Sequence, residues 1–196
     1  MSRLFSRPLS KEGDTKKEYA KFKPLKREKV NWLERTELLI KEEGIQKLQN
    51  ARVLIVGLGG VGGSAAEFIT RAGIGNLTIV DGDVVSLTNI NRQLPALHST
   101  IGKPKTEVVA ERLLDINPAL NLTVINEFLS PERAWDIVTP DYDYVIDCID
   151  SITPKLNLIL SSKRKRVKIV SCMGAGGATD VSQIKVVDLM KTYNCP

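Results

Sequence analysis

The chain predicts an α/β fold: a doubly wound, Rossmann-like, mostly parallel sheet with helices on both faces. Three observations carry this reading. Short apolar runs alternate with stretches of helical periodicity along most of the 196 residues, the pattern of successive βαβ units. The runs themselves, such as Val53-Leu54-Ile55-Val56, are continuously apolar, as parallel strands buried on both faces require. That first run leads directly into Gly57-Leu58-Gly59-Gly60-Val61-Gly62 and then a helical pattern, the strand–turn–helix order of a phosphate-binding turn.

The elements follow in order. Residues 1–30 have no hydrophobic periodicity and carry ten Lys or Arg against four Asp or Glu, so they read as a basic, disordered arm. Such an arm attracts phosphate backbones with little sequence selectivity. Residues 31–196 read as one folded domain with eighteen cations against nineteen acids, so the formal charge of +5 belongs to the arm. Within "NWLERTELLIKEEGIQKLQNA", Trp32, Leu38, Leu39, Ile45 and Leu48 predict two short helices broken at Gly44. "RVLIVG" is the first strand, "GGSAAEFITRAG" a helix closed by Gly73, and "NLTIVDGD" the second strand. A polar loop, "LTNINRQL", precedes the helix "KPKTEVVAERLLDIN", in which Val108, Val109, Leu113 and Leu114 supply the apolar face. "NLTVINEFL" is the third strand, and "SPERAWDIV" a helix with Ser130 as N-cap and Pro131 at its first position. "DYVIDCID" is the fourth strand, "TPKLNLILSSKRKR" a helix, "VKIVSCMGAGG" a fifth strand with its loop, and "QIKVVDLM" a sixth. Little sequence follows that sixth strand, so its cover is expected from a partner subunit or from sequence this chain does not contain.

Composition excludes several classes. No window approaches the ~18 consecutive apolar residues of a membrane span. The three cysteines, Cys148, Cys172 and Cys195, form no C-x-x-C pair, so neither a zinc knuckle nor a dithiol redox motif is expected. Their number and spacing fit a reducing, cytoplasmic setting, with Cys148 and Cys172 read as core residues. His98, the one histidine, reads as a surface or packing residue.

The chemistry concentrates at the ends of the strands. Gly57 permits a tight turn, Gly59 and its neighbour Gly60 let backbone approach a phosphate, and Gly62 allows helix to pack closely on strand. The following helix offers free N–H groups and a positive dipole end to an anion. Asp81, at the end of the second strand with Asp83 beside it, stands where a carboxylate accepts ribose hydroxyls. These features establish a nucleotide without saying which, and NAD is the ordinary reading. Arg92, Lys103 and Lys105 follow from the same sheet edge and supply more positive charge than a pyrophosphate needs, which favours a triphosphate. Asp147 and Asp150 end the fourth strand. Asp147 is flanked by apolar residues and reads as structural, leaving Asp150 to hold Mg²⁺ against phosphates.

The stretches "VLIVGLGGVGG", "GIGNLTIVDGD", "LTNINRQL", "GKPKTEVVAERLLDINP" and "DYVIDCID" resemble the ThiF/MoeB superfamily of ATP-dependent carboxylate-adenylating enzymes. The resemblance implies ATP and Mg²⁺ as cofactors, Asp81 on ribose, Asn89, Arg92 and Lys105 on phosphates, and Asp150 on the metal. It also implies a homodimer in which Arg35, within "LERTELL", reaches the partner subunit's ATP. Within the superfamily, "NRQLPALHSTIGKPK", "DCIDSITPKLNLI" and "MGAGGATDVSQIKVVDLMKT" are most similar to the tRNA threonylcarbamoyladenosine dehydratases. That branch implies tRNA bearing threonylcarbamoyladenosine as substrate, a possible sulfur-relay partner, and a further helical part that this sequence does not contain. Two alternatives stay open: an adenylating activator of a ubiquitin-like or sulfur-carrier protein C-terminus, and an inactive nucleotide-binding module. The absence of paired zinc cysteines argues against the first.

Overall fold

The computed structural model describes residues 31–174 and 179–192; the arm predicted for residues 1–30 lies outside the described residues. Five strands, β1 (Arg52–Val56), β2 (Asn76–Val80), β3 (Asn121–Ile125), β4 (Tyr144–Asp147) and β5 (Lys168–Ser171), pair in the order β3-β2-β1-β4-β5. Every neighbouring pair is parallel. Five helices accompany them: α1 (Glu34–Asn50), α2 (Gly60–Arg71), α3 (Lys105–Ile116), α4 (Pro131–Ile137) and α5 (Ile152–Arg164). The predicted doubly wound sheet is therefore present.

Period-2 alternation along β1 explains the two-faced core. Val53 and Ile55 pack with Leu77, Ile79 and the α2 and α3 side chains Ala66, Val109 and Leu113 on one face. Leu54 and Val56 pack with Val145, Ile137 of α4 and Leu158 of α5 on the other. Both faces of β1 are covered, and each such buried aliphatic contributes about 1.5–3 kcal/mol. Ser130 caps α4 as predicted, its Oγ accepting the Arg133 N–H at 3.1 Å. No helix among the described residues is long and apolar enough to cross a membrane.

Two predicted features differ. The break in the first helical region falls at Lys41 (φ 65°, ψ 171°), not at Gly44. Gly44 instead lets the two segments meet, since a Cβ there would lie 2.7 Å from Ile40 Cβ. Trp32, Leu38 and Leu39 remain exposed, while Leu33 and Ile45 are buried. The sixth strand is absent from the described residues. Residues 181–183 and 189–191 form single 3₁₀ turns, capped by the Asp180 and Asp188 carboxylates, and Val186 between them is 100% exposed. An apolar run becomes a strand only against a neighbouring strand, and here local turn chemistry takes both ends of the segment.

Glu67 joins the two helices on one face. Its carboxylate accepts Arg112 Nε at 2.5 Å and Arg112 Nη2 at 3.0 Å from α3, and Arg71 Nε at 2.9 Å from its own helix. The Arg112 hydrogen bonds, opposed by burial and reinforced by Arg71, hold this carboxyl below the usual carboxylate range. A depressed acid stabilises above its unfolded pKa of about 4.3 and loses that contribution as pH falls through the folded value. Glu67→Gln should therefore lower stability by about 2 kcal/mol at neutral pH, and the gap to the parent should close on acidification below pH ~4. Denaturant unfolding across pH checks this; a gap independent of pH would contradict it.

Candidate functional site

The strand order reverses between β1 and β4, so a crevice opens there at the C-terminal ends of the strands. Its floor is set by glycines. Gly57 leaves β1 with φ 90°, and a Cβ there would lie 2.7 Å from Cys148 O beyond β4. At Gly62 a Cβ would fall 1.7 Å from Gly57 O, so the first turn of α2 sits directly on the end of β1. Gly59 differs: its Cβ would make only an ordinary 3.7 Å contact with Gln93 Nε2. No intramolecular crowding requires glycine at that position, which leaves open backbone at the head of α2. Gly59 is also the N-cap and makes no side-chain cap, so the first N–H groups of α2 face the crevice without a side-chain acceptor. Gly60 lies against the next wall, a Cβ there approaching Arg92 O at 3.2 Å.

The β2 side carries the predicted acids and cations. Asp81 Oδ2 accepts the Leu58 N–H at 2.6 Å and Oδ1 accepts the Asp83 N–H at 2.7 Å, so this carboxylate ties the glycine turn to the end of β2. Each oxygen keeps a further lone pair for a ligand hydroxyl. Lys105, the first residue of α3, is buried with its side chain 6% exposed, and its Nζ lies 2.7 Å from Asp83 Oδ2. Their backbones also join, Lys105 N–H donating to Asp83 O at 3.0 Å. Asn89 is buried and shapes the loop, its Oδ1 accepting the Ser86 N–H at 3.0 Å. Arg92 is exposed, and its Nη1 donates to Thr88 O and Asn91 Oδ1, both at 3.0 Å.

On the β4 side, Asp147 and Asp150 separate as the sequence suggests. Asp147 is 0% exposed and sits in a closed set of bonds: Lys155 Nζ at 2.6 Å and Ser171 Oγ at 2.5 Å on Oδ2, and the Ile149 N–H at 3.0 Å on Oδ1. Lys155 Nζ also donates to Cys172 O at 2.9 Å. This one pair joins β4, β5 and α5, and fixes the turn that presents Asp150. Asp150 itself is exposed, and the polar contact of its carboxylate is Ser151 Oγ at 3.4 Å. No cluster of three metal-binding side chains occurs among the described residues.

Arg35 is the predicted residue that the chain does not bring to the crevice. It follows Leu33, whose side chain packs on Gly73 beyond the C-terminal end of α2, roughly 18 Å along that helix from the glycine turn. Two residues escaped the sequence reading. Lys155 carries no assigned role within the predicted helix "TPKLNLILSSKRKR". Gln93 is buried with Oε1 unpartnered among the described residues, and its amide faces Gly59. The Thr70 and Thr106 hydroxyls share that lack of a partner, but Gln93 is the one of the three beside the open backbone at Gly59. Cys148 and Cys172 are half-buried, not core residues, and each thiol shifts the titration of the other. The Cys148 contact, against burial and with help from the Lys155 ammonium, holds Cys172 down to about 7, while the same contact and burial push Cys148 up.

The ThiF family model matches residues 33–196. This chain belongs to the ThiF family. Among its ThiF relatives is the tRNA threonylcarbamoyladenosine dehydratase of Haemophilus influenzae, 46% identical over 79% of this chain and 59% of that protein. The dehydratase of Escherichia coli is 44% identical over 82% of this chain and 60% of that protein. The crystal structure of the E. coli enzyme in complex with ATP superposes with a TM-score of 0.80 at 43% identity, covering 83% of this chain and 67% of that one. The chain thus spans about three-fifths of the length of the curated relatives it matches.

Lys155→Met leaves the buried Asp147 charge without its cation and should cost about 3–5 kcal/mol in this ThiF domain, whereas Lys155→Arg should cost much less. Equilibrium unfolding compares them; a Met variant within about 1 kcal/mol of the parent would show that the pair does not anchor the β4 turn.

Proposed function

We propose that this chain is the ATP-binding, carboxylate-adenylating domain of a tRNA threonylcarbamoyladenosine dehydratase. The observation that carries the reading is the division of charge around the uncapped head of α2: Arg92 and Lys105 on the β2 side, the free Asp150 carboxylate on the β4 side. A hydride cofactor needs neither an added cation pair nor an opposed free acid, while a triphosphate with a divalent ion needs both. The E. coli relative's structure with ATP supports the same nucleotide.

In this reading the triphosphate lies over the first turn of α2, with Asp81 on the ribose and Gln93 within reach of the ligand. Arg92 and Lys105 neutralise charge on the phosphates, with Asn89 and Asp83 holding those two cationic segments in place. A magnesium ion on Asp150 supplies further neutralisation of the phosphate oxygens when bound. The threonyl carboxylate of the modified nucleoside attacks the α-phosphorus and pyrophosphate leaves. The carbamoyl group of the same nucleoside then attacks the activated carbonyl carbon, gives up a proton, and AMP departs with one former carboxylate oxygen. The nucleoside has lost one water, and ATP has become AMP and pyrophosphate. Positioning and charge stabilisation carry such a reaction, and no side-chain nucleophile enters it. Arg35, remote from its own crevice, serves the site of a second copy in a homodimer.

Incubation with ATP, Mg²⁺ and tRNA carrying threonylcarbamoyladenosine should yield a nucleoside lighter by one water in mass spectrometry. Asp150→Ala should slow this by ~100-fold or more, and mixing it with Arg35→Ala should restore part of the activity. Unchanged nucleoside with the parent protein, or pyrophosphate release that follows a small carrier protein and not tRNA, would overturn the reading.

A further inference from the structure

The end of the sheet away from the crevice carries a charge feature that the nucleotide site does not use. Within residues 163–168, Lys163, Arg164, Lys165, Arg166 and Lys168 place five cations around the turn from α5 into β5, four of them exposed. Four arginines elsewhere have carboxylate partners, Arg52 with Asp141, Arg71 and Arg112 with Glu67, and Arg133 with Glu127, while the exposed Arg92 donates to Thr88 O and Asn91 Oδ1. None of the five cations at the turn has a carboxylate within ion-pair distance among the described residues. Of the acids near this edge, Asp141 and Asp143 accept hydrogen bonds from Arg52, and Glu132, which lines a groove with Trp135 and Arg164, accepts one from Ser130 Oγ.

Helix capping accounts for only part of the cluster. Lys163 and Arg164 lie in the last turn of α5, where cations favour the dipole, but Arg166 and Lys168 lie beyond it. The turn closes through Val167 N–H to Ser162 O at 2.9 Å, which sets Arg166 at φ 58°. That is the position of a helix terminus at which glycine is the usual residue. Two aromatic rings flank the turn. Lys165 Nζ donates to Trp135 O and stands 4.4 Å from the centre of that ring, and Lys168 Nζ stands 5.2 Å from the ring centre of Tyr144; the tryptophan and tyrosine are 44% and 43% exposed.

We propose that this turn is a docking surface for the phosphate backbone of RNA, separate from the nucleotide crevice. Planar guanidiniums and flexible ammoniums meet phosphates without reading bases, and half-exposed rings beside cations offer faces on which unpaired bases stack. A membrane surface is disfavoured because Val167, the one apolar side chain in the turn, is buried. β5 is four residues long, so the turn lies roughly 15 Å from the crevice edge, and one RNA held at the crevice can reach both. That RNA is the substrate is taken from the proposed function; the surface itself rests on the charge and the rings.

The test measures binding of tRNA carrying threonylcarbamoyladenosine between about 50 and 200 mM salt, with ATP binding and nucleoside turnover followed in parallel. The slope of log affinity against log salt should fall by about 2–3 in Lys163→Gln/Arg164→Gln/Arg166→Gln, and by about 0.7–0.9 in Arg166→Gly, with ATP affinity unchanged in both. Arg166→Gly suits the local backbone, so it keeps the test valid if the triple variant does not fold. Slopes equal to the parent's, no binding of tRNA by the parent, or salt-dependent binding of polyglutamate lost in place of tRNA binding would overturn the surface. A parent that turns over the nucleoside with unaltered variant slopes sinks the surface alone. Reduced slopes without any turnover sink the proposed function and keep the surface.

Discussion

The ion pair between Asp147 and Lys155 is the contact on which the site most depends. Parallel strands end in loops that nothing in the ladder holds, and the crevice is built from such loops. Here a carboxylate wholly removed from water takes the Lys155 ammonium, the Ser171 hydroxyl and the Ile149 N–H, while the ammonium also reaches Cys172 O. A buried pair of this kind adds little net stability over a well-packed apolar pair, because desolvation offsets most of the attraction. What it does supply is direction: it fixes how the chain leaves β4, and so where Asp150 points.

The opposite wall achieves the same end with backbone. Gly57 and Gly62 bring α2 so close to β1 that its first turn lies against Gly57 O, and Asp81 binds the turn through the Leu58 N–H. Positive potential from the helix head then adds to Arg92 and Lys105, and the free acid stands across from them on the β4 side. In the proposed reaction, a phosphate held between them would meet charge already in place and call for little reorganisation. Lys105 also shows how such a cation is kept usable: its partner Asp83 orients it but stays half exposed.

Much of this was legible in the sequence because its signals are local. An apolar run, a glycine turn and a helical period each act within a few residues, so β1, α2, β2, α4 with its Ser130 cap and the placement of Asp150 follow directly. Asp147 could be set apart from Asp150 by its apolar flanks alone. The remainder depends on contacts distant in sequence. The role of Lys155 comes from Ser171 and Cys172, sixteen and seventeen residues on; the orphaned Gln93 acceptor matters only because Gly59 lies beside it. The missing sixth strand follows the same rule, since "IKVV" reads as a strand in isolation but strand formation is a property of a pair. The Lys41 break was obscured by Gly44, whose missing side chain serves a close crossing and not a bend.

The claim that the crevice activates a carboxylate with ATP has a direct isotopic test. Threonylcarbamoyladenosine in tRNA, labelled with ¹⁸O in its threonyl carboxylate, is turned over with ATP in ordinary water, and the AMP is weighed by mass spectrometry. Adenylation through the carboxylate predicts AMP carrying one labelled oxygen for each cyclised nucleoside. Unlabelled AMP formed alongside cyclised product would show that the carboxylate never bonded to the α-phosphorus.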